Sequence, residues 1–402
     1  MGFIRSIADS RAFRRDPLSF IRALGEWTDV MQFRAGISEF TLVNHPDLIR
    51  RVLVTDAGRY GEGKWTLRAR HVMRDCLITH EGTPHRERRR LVGPIFDRRR
   101  LAECVTGLVG CAERMSAQWR SGSIIRAREA MGRLAIALTG PAIFDANLED
   151  EAAELNDALT ILNSAVSLFP LPRPRVAAAR TRVRATARRL RNGHLGRGLA
   201  QAGLGEQEIV DELVSLMMAA IATTPSTLAW IWFLLGTNPS AEARLHWELS
   251  TLDRGALTVA GLPRLEFAEM VTDEALRLYP PVHFIDRRTL TDVELGGIRI
   301  SAGRYLLLSP LVTHRDRRFF SEPDAFRPER WGRDAPDRAQ TRQCFAFGAG
   351  AHRCIGEELA RLEITLAIAT LARDWRLRPA PELPSDPSPQ AAELPMIVER
   401  RG

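Results

Sequence analysis

The residues Phe347-Gly348-Ala349-Gly350-Ala351-His352-Arg353-Cys354-Ile355-Gly356 place one cysteine in a glycine-rich stretch, with a helical pattern starting just behind it. The glycines let the backbone turn tightly and come close to a flat partner. Such a loop presents one sulfur, ringed by backbone N–H groups, to something large and planar. Thiolate ligation of heme iron needs that arrangement. The sulfur must stay deprotonated, and a metal, nearby donors and a helix N-terminus all favour the charged form. The competing reading is a buried structural cysteine beside a glycine turn, which would be favoured for an isolated Gly-x-Cys-x-Gly. Cys344 is the sequence-local rival to Cys354, but it lacks flanking glycines. The remaining cysteines are Cys76, Cys104 and Cys111, an odd total without a CxxC pair. That count argues against a disulfide framework and fits a reducing cytoplasm.

A second constellation lies in Asp273-Glu274-Ala275-Leu276-Arg277-Leu278-Tyr279-Pro280-Pro281. A spacing of three puts Glu274 and Arg277 on one helix face. An exposed ion pair of this kind contributes little. Here the neighbours are largely apolar and two prolines end the helix at once, so a buried pair is the alternative. A buried pair needs further hydrogen-bonding partners. His85 and Arg89 lie one turn apart in His85-Arg86-Glu87-Arg88-Arg89-Arg90-Leu91.

These residues need a large scaffold. The 402 residues include 45% apolar side chains, enough for a sizeable core. The net charge of +8 is carried by arginine, with Lys64 the one lysine. The arginines are scattered and no nucleic-acid motif accompanies them, so an acidic protein partner is the better reading of the charge. Two short apolar runs around Gly36 read as a hairpin. Asn44-His45-Pro46 then reads as a helix start with Asn44 as cap. From about Arg98 to Thr272 the pattern is mostly helical. Val293 to Leu308 switches to strands, with Gly296-Gly297 as the turn. Leu213 to Gly236 holds no charged residue and is long enough to span a membrane. Its central Ser, Thr and Pro residues and its acidic N-terminal flank (Glu206, Glu208, Asp211, Glu212) favour a buried core helix instead. The residues before Trp27 show neither a secretory signal nor a membrane anchor.

The spacing FxxGxxxCxG fixes Phe347, Gly350, Cys354 and Gly356, and with the other motifs it resembles the cytochrome P450 family, of the soluble bacterial type. The resemblance implies one large domain over residues 1–402, mainly α with small β-sheets, with a long distal helix and a cysteine-ligand loop. It implies heme b (iron protoporphyrin IX) bound through Cys354, with Phe347, Gly348, Gly356 and Ala219 close to the cofactor. His85, Arg89, Arg287 and His352 match the family's propionate contacts. By contrast, Arg86, Arg88 and Arg90 read as solvated surface charges. Glu274 and Arg277 match the ExxR motif, and Arg330 in Phe326-Arg327-Pro328-Glu329-Arg330-Trp331 matches its third member. These three support the pocket rather than catalyse.

The long helix departs from the family pattern, reading Ala219-Ala220-Ile221-Ala222-Thr223-Thr224-Pro225. Thr223 aligns with the alcohol of the proton relay, but the acid normally before it is Ala222. Pro225 removes a backbone donor and is expected to kink the helix. By resemblance, substrate contacts come from Trp65 to Leu77, from Leu162 to Phe169, and from Met218, Ala222, Val282, His283, Ile285, Leu394 and Met396. His283 is a polar handle or an ordinary core or surface histidine. The implied activity is insertion of one oxygen atom from O2 into a hydrophobic small molecule, such as a terpenoid or polyketide secondary metabolite. Oxidative bond formation, desaturation or rearrangement is the alternative, and a catalytically silent ligand-binding homologue is a third reading. Electrons from NAD(P)H are expected through a separate ferredoxin and ferredoxin reductase, since no flavin domain flanks the motifs. Arg88 and Arg353 are the expected docking charges. The resemblance implies a cytoplasmic monomer that binds neither membrane nor nucleic acid.

Overall fold

The apolar runs on either side of Gly36 are strands in the computed structural model, which describes residues 13, 15–25, 28–35, 38–166, 173–253, 255, 257–389, 391 and 393–401. The hairpin turn itself, at 36–37, lies outside the described residues. The described chain falls into two compact units. The first draws on Met1–His71, Val282–Ala325 and Arg333–Cys354; the second on Val72–Pro281, Phe326–Gly332 and Ile355–Gly402.

The first unit is built on a five-stranded sheet. Its strands are β1 (Val30–Ala35), β2 (Ser38–Val43), β3 (Tyr60–Glu62), β5 (Ile285–Thr289) and β8 (Tyr305–Leu308), in the order β1-β2-β8-β5-β3. Only the β2–β8 pair is parallel, with Val43 opposite Leu308. Leu306, Leu307 and Leu308 are all fully buried, as expected of a central strand covered on both faces. A small hairpin of β6 (Val293–Leu295) and β7 (Ile298–Ile300) turns at Gly296-Gly297. Both glycines have positive φ, +54° and +74°, as this turn requires.

The helix Pro46–Arg50 is capped by His45, whose ring Nδ1 accepts from Asp47 N at 3.2 Å. Asn44, the expected cap, is instead buried. Its amide donates to Gly25 O at 3.1 Å and its carbonyl accepts from Thr313 at 2.8 Å. Tertiary partners take Asn44 away from the helix end, and the cap falls to His45.

The second unit is mostly helical. Its longest element is the helix Glu206–Thr237, packed among Ala127–Phe144, Ala152–Val166, Arg173–Leu190, Glu266–Leu278 and Glu357–Leu371, while Arg98–Ser116 packs on Ala127–Phe144 and Glu357–Leu371. The long helix is the buried one the composition implied: 78% of its most apolar window is inside the protein. Trp230 on it stacks on Tyr279 with centroids 3.8 Å apart. Pro225 does not interrupt the helix. A three-stranded sheet, β4 (Ile124–Arg126), β10 (Pro395–Arg400) and β9 (Trp375–Pro379) in that spatial order, closes this unit.

Candidate active site

In the first unit, the cysteine loop is shaped by its glycines. Gly348 and Gly350 both take the left-handed conformation, at φ +72° and +71°. Gly348 N donates to Phe345 O at 2.8 Å, Arg353 N to Gly350 O at 3.1 Å and Cys354 N to Phe347 O at 2.9 Å. Phe345 N is held in turn by His314 Nε2 at 3.0 Å. The loop lies against the turn at Leu53: a Cβ on Gly350 would sit 2.1 Å from Leu53 O. Gly350→Ala therefore meets both a steric block and backbone strain that costs on the order of 1–3 kcal/mol. The expected outcome is a several-fold lower heme-to-protein ratio on purification, read by absorbance against protein mass.

Cys354 is the one exposed cysteine of the five, and none is in a disulfide. Burial pushes the thiols of Cys76 and Cys104 up, and that of Cys111 to about 11, so these three are poor thiolates. Cys344 is half-buried, its sulfur 3.9 Å from His314 Nδ1. The donor set thus fits a thiolate-bound heme: one accessible sulfur, in a loop where the backbone could not tolerate a side chain at 350. Phe347 and Gly348 are half-buried beside it and His352 is exposed.

The same unit carries β5. Arg287, half-buried, donates to Asp286 O at 2.9 Å. The Asp286 carboxylate is buried and accepts from Trp65 N at 2.8 Å, at the start of the helix Lys64–Met73. Burial pushes this carboxyl up. Val282 is exposed, Ile285 and His283 are half-buried, and the His283 carbonyl accepts from Ser309 at 2.9 Å.

In the second unit, His85 is buried and Arg89 half-buried, one turn apart on the helix Gly82–Val92. Arg88 corrects the sequence reading. It is 7% exposed, with Nη2 3.2 Å from Glu208 and Nε 3.7 Å from Glu212. A buried guanidinium spent on the exposed Glu208 and the buried Glu212 is not an exposed docking charge. Arg86 and Arg90, on the same helix, are the exposed ones.

The long helix opens at one place. From Ile209 to Leu235 every residue is buried except Ala219, Ala220, Ala222 and Thr223. Their spacing puts them on one face, and three of the four are alanine. Thr223 Oγ1 donates to Ala219 O at 2.9 Å, and Thr227 Oγ1 donates to Thr223 O at 3.2 Å. Gly356 precedes the helix Glu357–Leu371, and a Cβ there would meet the Phe96 ring at 3.4 Å.

Met218, Leu394 and Met396, expected in the substrate wall, are fully buried in the core. A side chain with no accessible surface cannot line an open cavity. Leu162 is likewise fully buried, and residues 167–169 of that segment lie outside the described residues.

Glu274, Arg277 and Arg330 are each 0% exposed. Arg277 binds Glu274 through Nε and Nη2, both at 2.9 Å. Arg330 Nε donates at 3.0 Å, Trp331 Nε1 at 2.9 Å and the Arg327 backbone N–H at 3.0 Å. One carboxylate thus collects five donors. Trp331 and the Arg327 amide were missed in the sequence, although both flank Arg330 in the motif. Glu212 was missed as well, having been read as part of an acidic flank.

A family model described as cytochrome P450 matches residues 195–398, just over half of the chain. The chain belongs to the cytochrome P450 family. Similarity to curated members runs nearly end to end. This P450 is 34% identical to cyclooctatin synthase of Streptomyces melanosporofaciens, over 96% of this chain and 92% of that one. It is 30% identical to cyclooctat-9-en-7-ol 5-monooxygenase of the same organism, over 94% and 89%. It is 31% identical to pentalenene oxygenase of Streptomyces avermitilis, over 95% and 91%. This P450 is a heme-dependent monooxygenase that uses O2 and a hydrophobic substrate, with electrons from NAD(P)H arriving through separate redox proteins.

Proposed function

We propose that this P450 oxygenates a cyclic terpenoid-type skeleton, a bacterial secondary metabolite, by hydroxylation or epoxidation. The observation that carries this is the near full-length similarity to relatives named for cyclooctat-9-en-7-ol and pentalenene, names that denote an unsaturated alcohol and an alkene. A whole-chain catalytic domain, monomeric and cytoplasmic, fits the reading.

Heme, when bound, supplies the activation of O2 that side chains cannot. Cys354 is its thiolate ligand, and the glycines at 348, 350 and 356, with Phe347, let the loop lie close to it. On the family reading, His85 and Arg89, and Arg287 and His352, are the residues that would neutralise its two carboxylates. The alanine face at Ala219 and Ala220 leaves room over the helix for a bulky, apolar partner, since small side chains permit close approach. Of the residues the family reading gives to substrate, Ala222 and Val282 are exposed and His283 and Ile285 half-buried, and these would be the ones to contact it.

Thr223 is the proton-handling hydroxyl. Its hydrogen is engaged by Ala219 O, so its oxygen lone pairs face outward and accept first. Releasing a proton outward requires breaking that bond and drawing a replacement from water, because Ala222 offers no acid. Ile221 O, which Pro225 cannot engage, is a further acceptor for that water. The Thr223→Ala variant should lower product per NAD(P)H consumed several-fold, with hydrogen peroxide making up the difference, because a positioned acid–base group is lost. Unchanged coupling would remove Thr223 from proton handling.

The electron donor we assign is an acidic ferredoxin with its reductase, docking on exposed arginines such as Arg86, Arg90 and Arg353. The deciding assay supplies a surrogate ferredoxin, its reductase and NADPH, with a panel of cyclic terpene hydrocarbons and alcohols under oxygen-18 gas. A product heavier by one labelled oxygen supports the proposal. Loss of two hydrogens without label assigns the desaturation or bond-forming alternative. Absence of any optical shift or product across the panel overturns the terpenoid assignment.

A further inference from the structure

Glu212 is the most deeply buried acid of the long helix that the reaction does not use. It is 0% exposed and stands eleven residues before Thr223, about three turns, hence on nearly the same face. Its carboxylate accepts from the backbone N–H of Leu77, at 3.0 Å to Oε2 and 3.3 Å to Oε1. Leu77 opens the short turn Leu77–Thr79, which follows the helix Lys64–Met73 and the left-handed residue Arg74. That turn is tied within itself by Thr79, whose hydroxyl donates to Arg74 O at 2.7 Å and accepts from Cys76 N at 3.1 Å. Glu212 is thus the side chain of the long helix that grips this turn through its backbone.

We propose that Glu212 is a positioning residue for the substrate side of this P450: a buried latch that pins the 74–80 segment to the long helix. The consequence for substrate rests on the reading that residues 65–77 wall the substrate; the latch itself does not.

The groups facing Glu212 decide how a proton acts on it. Arg88, from the helix Gly82–Val92, lies 3.7 Å away and is shared with Glu208. Cys76 comes from the turn, and its thiol is raised by burial and then by Glu212. On its own helix are Asp211, paired with Arg184 of the helix Arg173–Leu190, and Ser215, whose hydroxyl donates to the Glu212 carbonyl at 2.9 Å. His80 stands near Glu208. Burial outweighs the single shared cation and raises the Glu212 carboxyl to about 7. The value in the closed segment is above the ordinary one. The Leu77 N–H bond favours the ionised carboxylate, but burial is the larger effect; where opening of the segment hydrates Glu212, closure is favoured when Glu212 is protonated, and that contribution is lost as pH rises from about 4.5 through about 7. The latch loosens toward alkaline pH.

The test is hydrogen exchange of the Leu77 amide and the 74–80 peptides in the purified holoenzyme, corrected for intrinsic rate, from pH 5.5 to 8. Protection should fall at least tenfold over that range and level off above it. The Glu212→Gln variant should show a flat profile, and Glu212→Asp, which keeps the titrating group, should restore the slope. A flat wild-type profile, or the same slope in Glu212→Gln, overturns the latch. If Glu212→Gln does not accumulate, the wild-type profile decides alone. Because exchange is read without substrate or turnover, and the heme spectrum of the same sample reports the family chemistry separately, the two proposals fail independently.

Discussion

A Glu274→Ala chain is expected to yield almost no folded, heme-loaded protein. The substitution strips five donors of their acceptor, among them two guanidinium groups with no exposed surface. Removing one partner of a buried charge pair costs about 3–5 kcal/mol, and here two arginines lose the same partner. Whole domains are stable by only about 5–15 kcal/mol, so the loss is comparable to the entire margin. Glu274→Gln keeps the shape and one accepting oxygen but loses the charge, and should fold with a clearly lowered melting temperature. Soluble yield, heme content and thermal melting read both. A Glu274→Ala protein that loads heme normally and melts within a few degrees of wild type would show that the carboxylate is not what holds residues 326–332 to their helix.

Cys354→Ser is expected to do the opposite: leave the fold and remove the chemistry. The side chain is exposed, so the change opens no cavity, and surface substitutions usually fall within about 0.5 kcal/mol. The ligand sulfur is nevertheless gone. Loss of groups that merely support a metal ligand costs 10–100-fold, so loss of the ligand itself should cost at least ~100-fold in product formation. The reduced, carbon monoxide-bound spectrum should move away from the thiolate position. Cys344→Ser is the control and should leave that spectrum unchanged. A shift with Cys344→Ser and none with Cys354→Ser would reassign the ligand.

The parts of this protein legible in its sequence were those set by local backbone demands. Glycines at 296, 297, 348 and 350 announced tight turns, and each takes a positive φ there. The uncharged run from Leu213 announced a buried helix. The motif spacing pointed to Glu274 with Arg277, and the structure adds why they are stable together. What failed depended on tertiary partners. Arg88 looks like its neighbours Arg86 and Arg90 until Glu208 and Glu212 arrive from more than a hundred residues away. Leu394 and Met396 were placed in a wall by analogy, whereas both are fully buried in the core, Met396 within β10 and Leu394 just before it. Asn44 and His45 compete for one cap, and only the location of Thr313 and Gly25 breaks the tie.

The knot around Glu274 also has an order in time. On a ribosome, Glu274 and Arg277 emerge first, and the Trp331 indole follows 57 residues later. Until then the carboxylate has one of its two cationic partners and must stay hydrated. The three-stranded sheet waits longer still, because β4, at 124–126, pairs with β10, at 395–400. A nascent chain halted anywhere between these points holds its longest apolar helix without the segments that finish its surroundings. The sheet that closes this unit cannot form until residues 395–400 have been synthesised, so the earlier helices stay incompletely covered until then.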